Sequence, residues 1–139
     1  METELIKQKL SEKGMKITPQ RMAVLEAIYR LKNHPTADNI IEFIRKTHPN
    51  VAVGTVYKVL ETLVENGLVK RVTTDRDFMR YDGILDKHHH LYCSNCDLIE
   101  DYHDPDLDEL LKKYFESKNI PGFKIEEFVL QIKGTFSKC

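Results

Sequence analysis

The chain has 139 residues, of which 41% are apolar and 31% are charged, and its net charge is −1. These values are typical of an ordinary soluble globular protein with one or two small domains. No apolar run approaches the roughly 18 residues of a membrane span. The N-terminus is charged from its second residue and lacks the apolar core of a secretion signal. We therefore expect a cytoplasmic protein that does not enter a membrane.

The two halves of the chain carry opposite net charges. Residues 1–82 contain 14 Lys and Arg against 11 Asp and Glu, whereas residues 83–139 contain 7 against 11. A net charge near zero argues by itself against nucleic acid. A basic half beside an acidic half that is rich in metal-binding side chains indicates a polyanion-binding domain joined to a metal-binding one.

Four helices are predicted in the first half. Threonine is a favourable N-cap, proline is tolerated at the first helical position, and glycine ends a helix. Between these signals the apolar residues recur at helical spacing. The predicted helices cover residues 3–13, 18–32, 36–48 and 53–66.

Two strands, residues 68–72 and 78–81, follow around a polar turn. Three helices and a two-stranded hairpin are the parts of a winged helix-turn-helix, in which the helix before the hairpin enters the major groove. The outward residues of that helix, Thr55, Tyr57 and Lys58, can contact thymine methyl groups, phosphates or guanine. The alternative is that Tyr57 is a surface aromatic residue and Lys58 a solvated charge.

After residue 82 the pattern changes to two strands, residues 88–92 and 98–102, a helix at 106–117 and a long alternating strand at 123–136. About 55 residues bury little core alone, so we expect this half to pair with a second copy. A twofold dimer also suits a winged helix that binds a palindrome. The predicted fold class is α+β, with a winged-helix domain (1–82) and a small α/β dimerisation domain (83–139).

Residues 82–101 read DGILDKHHHLYCSNCDLIED and combine imidazole, thiol and carboxylate, the side chains that bind transition metals. On a strand His88 and His90 face the same side, and His89 faces away as a bystander. Cys93 and Cys96 have the spacing of a tetrahedral zinc half-site. The odd total of three cysteines in a reducing cytosol favours metal ligation over a disulfide framework. The stretch therefore predicts parts of two sites, one with nitrogen and oxygen ligands and one with sulfur.

The order and spacing of several motifs resemble the ferric uptake regulator family over nearly the whole chain. The motifs are TPQR (18–21), HPTAD (34–38), GTVYKVLETLVENGLV (54–69), YD (81–82), HHHLYCSNC (88–96) and IED (99–101). The resemblance implies a winged-helix domain, a dimerisation domain and a metal site at the hinge. It also implies a homodimeric repressor that binds AT-rich inverted repeats in double-stranded DNA when it is loaded with metal.

By position, the resemblance implies a regulatory site for Fe(II) or Mn(II). A set of three imidazoles and two carboxylates is more typical of an Fe(II) or Mn(II) site than of a closed structural zinc site. Each residue alone has a simpler explanation as a loop histidine or a surface charge, and only the combined pattern favours the site. Its ligands would be His34, Asp82, His88, His90 and Asp101.

Asp101 indicates the branch of the family. Iron-sensing members usually have Glu at this position, and the peroxide-sensing branch has Asp. In that branch Fe(II) and hydrogen peroxide oxidise the histidines at the positions of His34 and His88, and DNA is released, whereas Mn(II) leaves the protein insensitive. The alternatives are an iron-responsive repressor of metal uptake and a zinc- or manganese-sensing member.

The resemblance also implies a structural Zn(II) held by two Cys-x-x-Cys pairs, but Phe136 replaces one cysteine. Cys93, Cys96 and Cys139 remain as an incomplete site. Its fourth ligand could be water, a histidine such as His103, or a residue outside this chain, and the site could also be empty.

For DNA, the resemblance points to Tyr57 for thymine and to Lys16 and Arg21 for phosphate or the minor groove.

Two other classes of protein compete with a regulator: a metalloenzyme that uses a metal-bound water, and a metal-storage or metal-delivery dimer. The sequence offers no nucleophile motif, phosphate loop or unassigned base, so we expect no enzyme. Neither class needs Tyr57 or the Lys16 and Arg21 pair.

Overall fold

The computed structural model describes residues 2–83 and 88–139, so residues 84–87 of the ligand-rich stretch lie outside the described residues. The chain separates into two compact units, Met1–Leu85 and Asp86–Cys139. Within the described ranges, every helix is too short or too polar to cross a bilayer. The elements are α1 (Glu2–Glu12), α2 (Pro19–Leu31), α3 (Ala37–Arg45), α4 (Val53–Glu65), β1 (Lys70–Val72), β2 (Arg80–Asp82), β3 (His89–Cys93), β4 (Ile99–Tyr102), α5 (Pro105–Lys118) and β5 (Gln131–Gly134).

Local capping fixes the starts of two helices in the first unit. The Thr18 hydroxyl accepts the N–H of Arg21 before α2, and Pro19 occupies the first turn. Before α3, the Thr36 hydroxyl accepts the N–H of Asn39, whose side chain accepts the Thr36 N–H in return. These contacts satisfy backbone N–H groups that a helix N-terminus leaves without partners. Both helices therefore begin where the sequence predicted.

The four helices of the first unit bury one apolar core at helical spacing. Side chains from every helix contribute to it, and they include Ile6, Leu10, Val24, Leu25, Ile28, Ile40, Ile44, Val56, Leu60 and Leu63. The antiparallel hairpin of β1 and β2 completes the winged helix-turn-helix. The predicted fold of this half is confirmed.

Strand β2 lies slightly later in the chain than predicted, because tertiary pairing determines its ends. On one side it pairs with β1, from Lys70 opposite Asp82 to Val72 opposite Arg80. On its other side Arg80 bridges to Thr36, and the Tyr81 N–H donates to the carbonyl of Pro35. Phe78, which the sequence placed inside the strand, instead lies exposed in the wing.

The second unit contains a three-stranded sheet in the order β4-β3-β5, with β4 antiparallel and β5 parallel to β3. The predicted long strand over residues 123–136 is wrong, because the strand covers only Gln131–Gly134. Strand β3 is five residues long, and its register with β5 runs from His90 opposite Gln131 to Cys93 opposite Gly134. A short partner therefore limits the length of β5.

Helix α5 lies between β4 and β5 in the chain and fully buries none of its side chains. The side chain of Asp104 caps its N-terminus by accepting the N–H of Leu107. Leu110 and Tyr114 are 65% and 53% exposed, and their spacing of four residues places them on one face of the helix. Large apolar side chains of this kind on one face of a helix indicate a surface that another element covers.

Candidate metal centre

In the first unit, two of the predicted ligands lie side by side. His34 precedes α3 and Asp82 ends β2, and the pairing of Tyr81 with Pro35 brings these segments together. His34 Nε2 lies 3.4 Å from Asp82 Oδ2, and both side chains are buried. This unit therefore presents one imidazole and one carboxylate at a single point.

In the second unit, three predicted ligands converge on one face of the β3–β4 pair. His90 is the cross-strand partner of Asp101, and His88 faces the same side two residues earlier. His88 Nε2 lies 3.1 Å from His90 Nε2 and 3.2 Å from Asp101 Oδ1. His90 Nε2 lies 3.7 Å from the same Asp101 oxygen.

These spacings fit a coordination sphere. Donor atoms at about 2.1 Å from one cation lie roughly 3 Å apart when they occupy neighbouring positions. Nitrogen and oxygen donors without sulfur suit Fe(II) and Mn(II). The first unit thus offers two candidate metal donors and the second unit offers three.

His89 faces the opposite side of β3, as predicted, but it is not a bystander. Only 2% of its surface is exposed. Its Nδ1 accepts the N–H of Leu130 at 3.0 Å, so its Nε2 carries the proton and donates to Asp108 at 2.6 Å. His89 thereby joins β3 to α5 and to the segment before β5. Sequence reasoning missed this role because the two partners are 19 and 41 residues away.

The three cysteines come together around the turn after β3. The sulfur atoms of Cys93, Cys96 and Cys139 all lie within 4.8 Å of one another. Cys96 and Cys139 form a disulfide and Cys93 is buried and free, which differs from the predicted preference for metal ligation. The Cα atoms of the pair are 6.0 Å apart, a separation that a disulfide can span.

Backbone groups around the Cys93 sulfur favour its ionised form. The N–H of Cys96, followed by that of Phe136, holds the pKa of the Cys93 thiol below its ordinary value, although burial acts in the opposite direction. A thiolate is the form of cysteine that binds a metal. The cysteine cluster therefore has the chemistry of a zinc site when all three sulfurs are reduced.

His103, the weak candidate for a fourth zinc ligand, lies at the other end of the β3–β4 pair. Its ring centre is 5.6 Å from that of His88. Five residues separate His88 from Cys93, which is roughly 17 Å along a strand. The sequence suggestion for His103 is therefore wrong, because the hairpin places it beside His88.

The predicted DNA-contacting residues lie on or near the surface of the first unit. On α4, Tyr57 is 46% exposed, Lys58 is exposed and Thr55 is half-buried. Lys16 is exposed, and Arg21 Nη1 donates to the Lys16 carbonyl at 2.8 Å. Their roles in DNA binding stay predictions.

Comparison with known proteins identifies the family. Residues 12–133 match the sequence profile of the ferric uptake regulator family. The chain belongs to this family. Members of the ferric uptake regulator family are transcriptional regulators and not enzymes, they bind DNA as dimers, and solved members contain iron, manganese or zinc. The predicted class of protein is thus confirmed over the metalloenzyme and storage alternatives.

Individual relatives extend over most of the chain. The peroxide operon regulator of Bacillus subtilis is 39% identical over 130 residues, which cover 94% of this chain and 88% of that protein. The Campylobacter jejuni peroxide stress regulator is 28% identical, with a TM-score of 0.72 over 98% of this chain and 97% of its own. The Helicobacter pylori ferric uptake regulator, described as having three functional metal-binding sites, has a TM-score of 0.80 at 22% identity. The match covers 99% of this chain and 91% of that protein.

Proposed function

We propose that the chain is a metal-dependent DNA-binding repressor that responds to hydrogen peroxide. The observation that carries the proposal is the convergence of the buried His88 and His90 with the half-buried Asp101 on the β3–β4 face. Asp101 is the carboxylate that the family resemblance associates with peroxide sensing. The names of the Bacillus subtilis and Campylobacter jejuni proteins support the same assignment.

In this proposal one Fe(II) or Mn(II) ion is the regulatory metal. His34 and Asp82 supply two ligands from the first unit, and His88, His90 and Asp101 supply three from the second. A cation that binds donors from both units favours one relative arrangement of those units, since any other arrangement gives up ligands. In a dimer, that arrangement sets the distance between the two DNA-binding helices, which must match the spacing of the half-sites.

Peroxide sensing would follow from the nature of the ion. Bound Fe(II) supplies the one-electron chemistry that activates hydrogen peroxide beside its ligands, which Mn(II) does not. At His34 or His88, hydrogen peroxide would supply one oxygen atom to a carbon of the imidazole ring, and its other oxygen atom would leave as water. An oxidised imidazole is a poorer ligand, so the metal would dissociate and the protein would release DNA.

The cysteine cluster would hold a structural Zn(II). Cys93, Cys96 and Cys139 supply three sulfurs already within 4.8 Å of one another, and backbone N–H groups favour the thiolate of Cys93. The disulfide between Cys96 and Cys139 would have to be reduced first, because a disulfide sulfur is not a thiolate. Metal analysis and thiol counting on protein purified with a reductant test this assignment.

The DNA partner would be a double-stranded, AT-rich inverted repeat in the cytoplasm. Thr55, Tyr57 and Lys58 on α4 would lie in the major groove, and Lys16 and Arg21 would contact the backbone or the minor groove. The homodimer would form through the second unit, where α5 leaves its apolar face exposed.

Two measurements on the full chain test the proposal. Fluorescence anisotropy with an AT-rich inverted repeat should show tight binding with Mn(II) and weak binding after chelation. Unchanged DNA affinity would contradict metal dependence. The Fe(II)-loaded protein, treated with micromolar peroxide, should gain 16 daltons on peptides that contain His34 or His88. If DNA binding depends on Fe(II) but oxidation reaches only methionines, the chain is an iron-responsive repressor instead.

A further inference from the structure

The segment that carries His34 has an unusual backbone. Lys32, Asn33 and His34 all have positive φ, at 55°, 46° and 57°, and none is glycine. Residues with side chains adopt this region at an energetic cost, and such conformations persist only where the surrounding structure holds them. For Lys32 the accompanying ψ of −165° belongs to a region that glycine almost alone occupies. The turn that presents His34 is therefore strained.

The side chain of Arg80, on β2, holds this turn. It is 4% exposed, and it donates from Nε to the His34 carbonyl and from Nη2 to the Asn33 carbonyl. Buried charged groups need hydrogen-bond partners to offset the loss of water. The guanidinium and the two carbonyls therefore stabilise each other across 46 residues of sequence.

The position of Arg80 links the turn to the metal ligands. Arg80 and Asp82 are two residues apart in β2, so both side chains point to the same side of the strand. That side faces the turn, because Asp82 contacts the His34 ring while Arg80 contacts the His34 backbone. One short strand thus supplies both a ligand and the group that fixes its neighbouring ligand.

We propose that Arg80 is a positioning residue that sets the affinity of the regulatory metal by holding His34 in its binding conformation. The inference rests on the proposed function, in which His34 is a ligand. Arginine is suited to this role because its planar fork donates two hydrogen bonds in fixed directions, which the single ammonium of lysine does not. Replacing an outer partner of a metal ligand typically lowers metal affinity by about 10- to 100-fold.

The test measures Mn(II) affinity by calorimetry on the full chain, together with the melting temperature of the metal-free protein. Arg80→Gln should weaken Mn(II) binding by about 10- to 100-fold, and Arg80→Lys should recover only part of that loss. Should Arg80→Gln fail to fold, Arg80→Lys still carries the test. Arg76→Gln, in the exposed wing of the same hairpin, is the matched control and should bind Mn(II) like the original protein.

A second substitution separates positioning from general stability. Lys32→Gly removes the side chain that disfavours the turn, so in the Arg80→Gln protein it should restore part of the Mn(II) affinity. Unchanged Mn(II) affinity in Arg80→Gln, or no recovery with Lys32→Gly, would overturn the positioning role.

His34→Ala distinguishes failure of this inference from failure of the proposed function. If His34→Ala binds Mn(II) as tightly as the original protein, His34 is not a ligand, and both the bridging site and the positioning role are lost. If His34→Ala weakens binding while Arg80→Gln does not, the positioning role alone is wrong.

Discussion

His90 and Asp101 are direct partners across the antiparallel pair of β3 and β4, so His90 Nε2 lies 3.7 Å from Asp101 Oδ1. This register determines which carboxylate meets the imidazoles. A one-residue slip would turn Asp101 to the other face and bring a neighbouring side chain in its place. The proposed ligand set in the second unit thus depends on strand pairing as well as on composition.

The length of the carboxylate at position 101 should affect the rate of oxidation. Asp101→Glu adds one methylene and shifts the oxygen relative to His88 and His90. We expect this variant to retain Mn(II)-dependent DNA binding but to oxidise His34 and His88 more slowly with Fe(II) and peroxide, as mass spectrometry of peptides would show. Glu100→Asp, the preceding position on β4, is the control. Equal oxidation rates for Asp101→Glu and the original protein would remove the basis for assigning the peroxide-sensing branch.

Two surface residues should affect DNA binding differently. Tyr57→Ala should reduce the free energy of binding to the preferred operator by about 1–3 kcal/mol and relax the base specificity at one base pair. Lys16→Gln should weaken binding to all DNA sequences equally. It should also reduce the slope of log binding constant against log salt concentration by roughly one. Anisotropy titrations at several salt concentrations, on matched and substituted operators, measure both effects. A uniform loss across all sequences for Tyr57→Ala would show that Tyr57 contacts only the backbone.

The cap of α5 should make stability depend on pH in the acid range. The Tyr102 hydroxyl, followed by the Leu107 N–H, donates to Asp104 and holds the pKa of its carboxyl below the ordinary value of about 3.9. Because the pKa is lowered in the folded state, the ionised Asp104 stabilises the fold at pH values above the ordinary pKa. This contribution disappears as pH falls through the folded-state pKa. Asp104→Asn should therefore melt at a lower temperature at pH 7, and the difference should vanish in strong acid.

Tyr102→Phe removes the main cause of this pKa shift and serves as the companion variant. Its melting temperature should fall at neutral pH in the same direction as that of Asp104→Asn. A difference between Asp104→Asn and the original protein that persists unchanged into strong acid would show that the cap stabilises through geometry alone.

The exposed face of α5 should govern the assembly of the chain. Leu110 and Tyr114 are one turn apart, so they lie together on that face. Leu110→Asp places a charge where a stable interface of at least about 1,000 Å² would bury apolar surface. Light scattering should show dissociation of the dimer at concentrations where the original protein stays associated. Lys112 lies two residues from both Leu110 and Tyr114, on the opposite side of the helix, and Lys112→Gln should leave the mass unchanged. A dimeric Leu110→Asp would place the interface elsewhere.

The sequence predicts those parts of the fold whose causes are local. Thr18 and Thr36 cap helices through residues three positions away, so short-range signals place those helix starts. The alternation of His88 and His90 likewise follows from the period of a strand. Local periodicity does not supply the full ligand set, because His34, Asp82 and Asp101 are assigned through the family resemblance.

The features that were missed or misplaced depend on distant partners. Strand β5 is short because β3 is short, and His89 is fixed by groups that lie far along the chain. Arg80 contacts carbonyls 46 and 47 residues earlier, which no local pattern indicates. The disulfide between Cys96 and Cys139 depends on the approach of segments 43 residues apart.

The central claim is that one ion binds ligands from both units. Calorimetric titration of Mn(II) into the original protein, His34→Ala and His90→Ala tests it most directly, since the two histidines lie in different units. We expect one high-affinity Mn(II) per chain in the original protein and its loss in both variants. Retention of that ion by either variant would contradict a shared site.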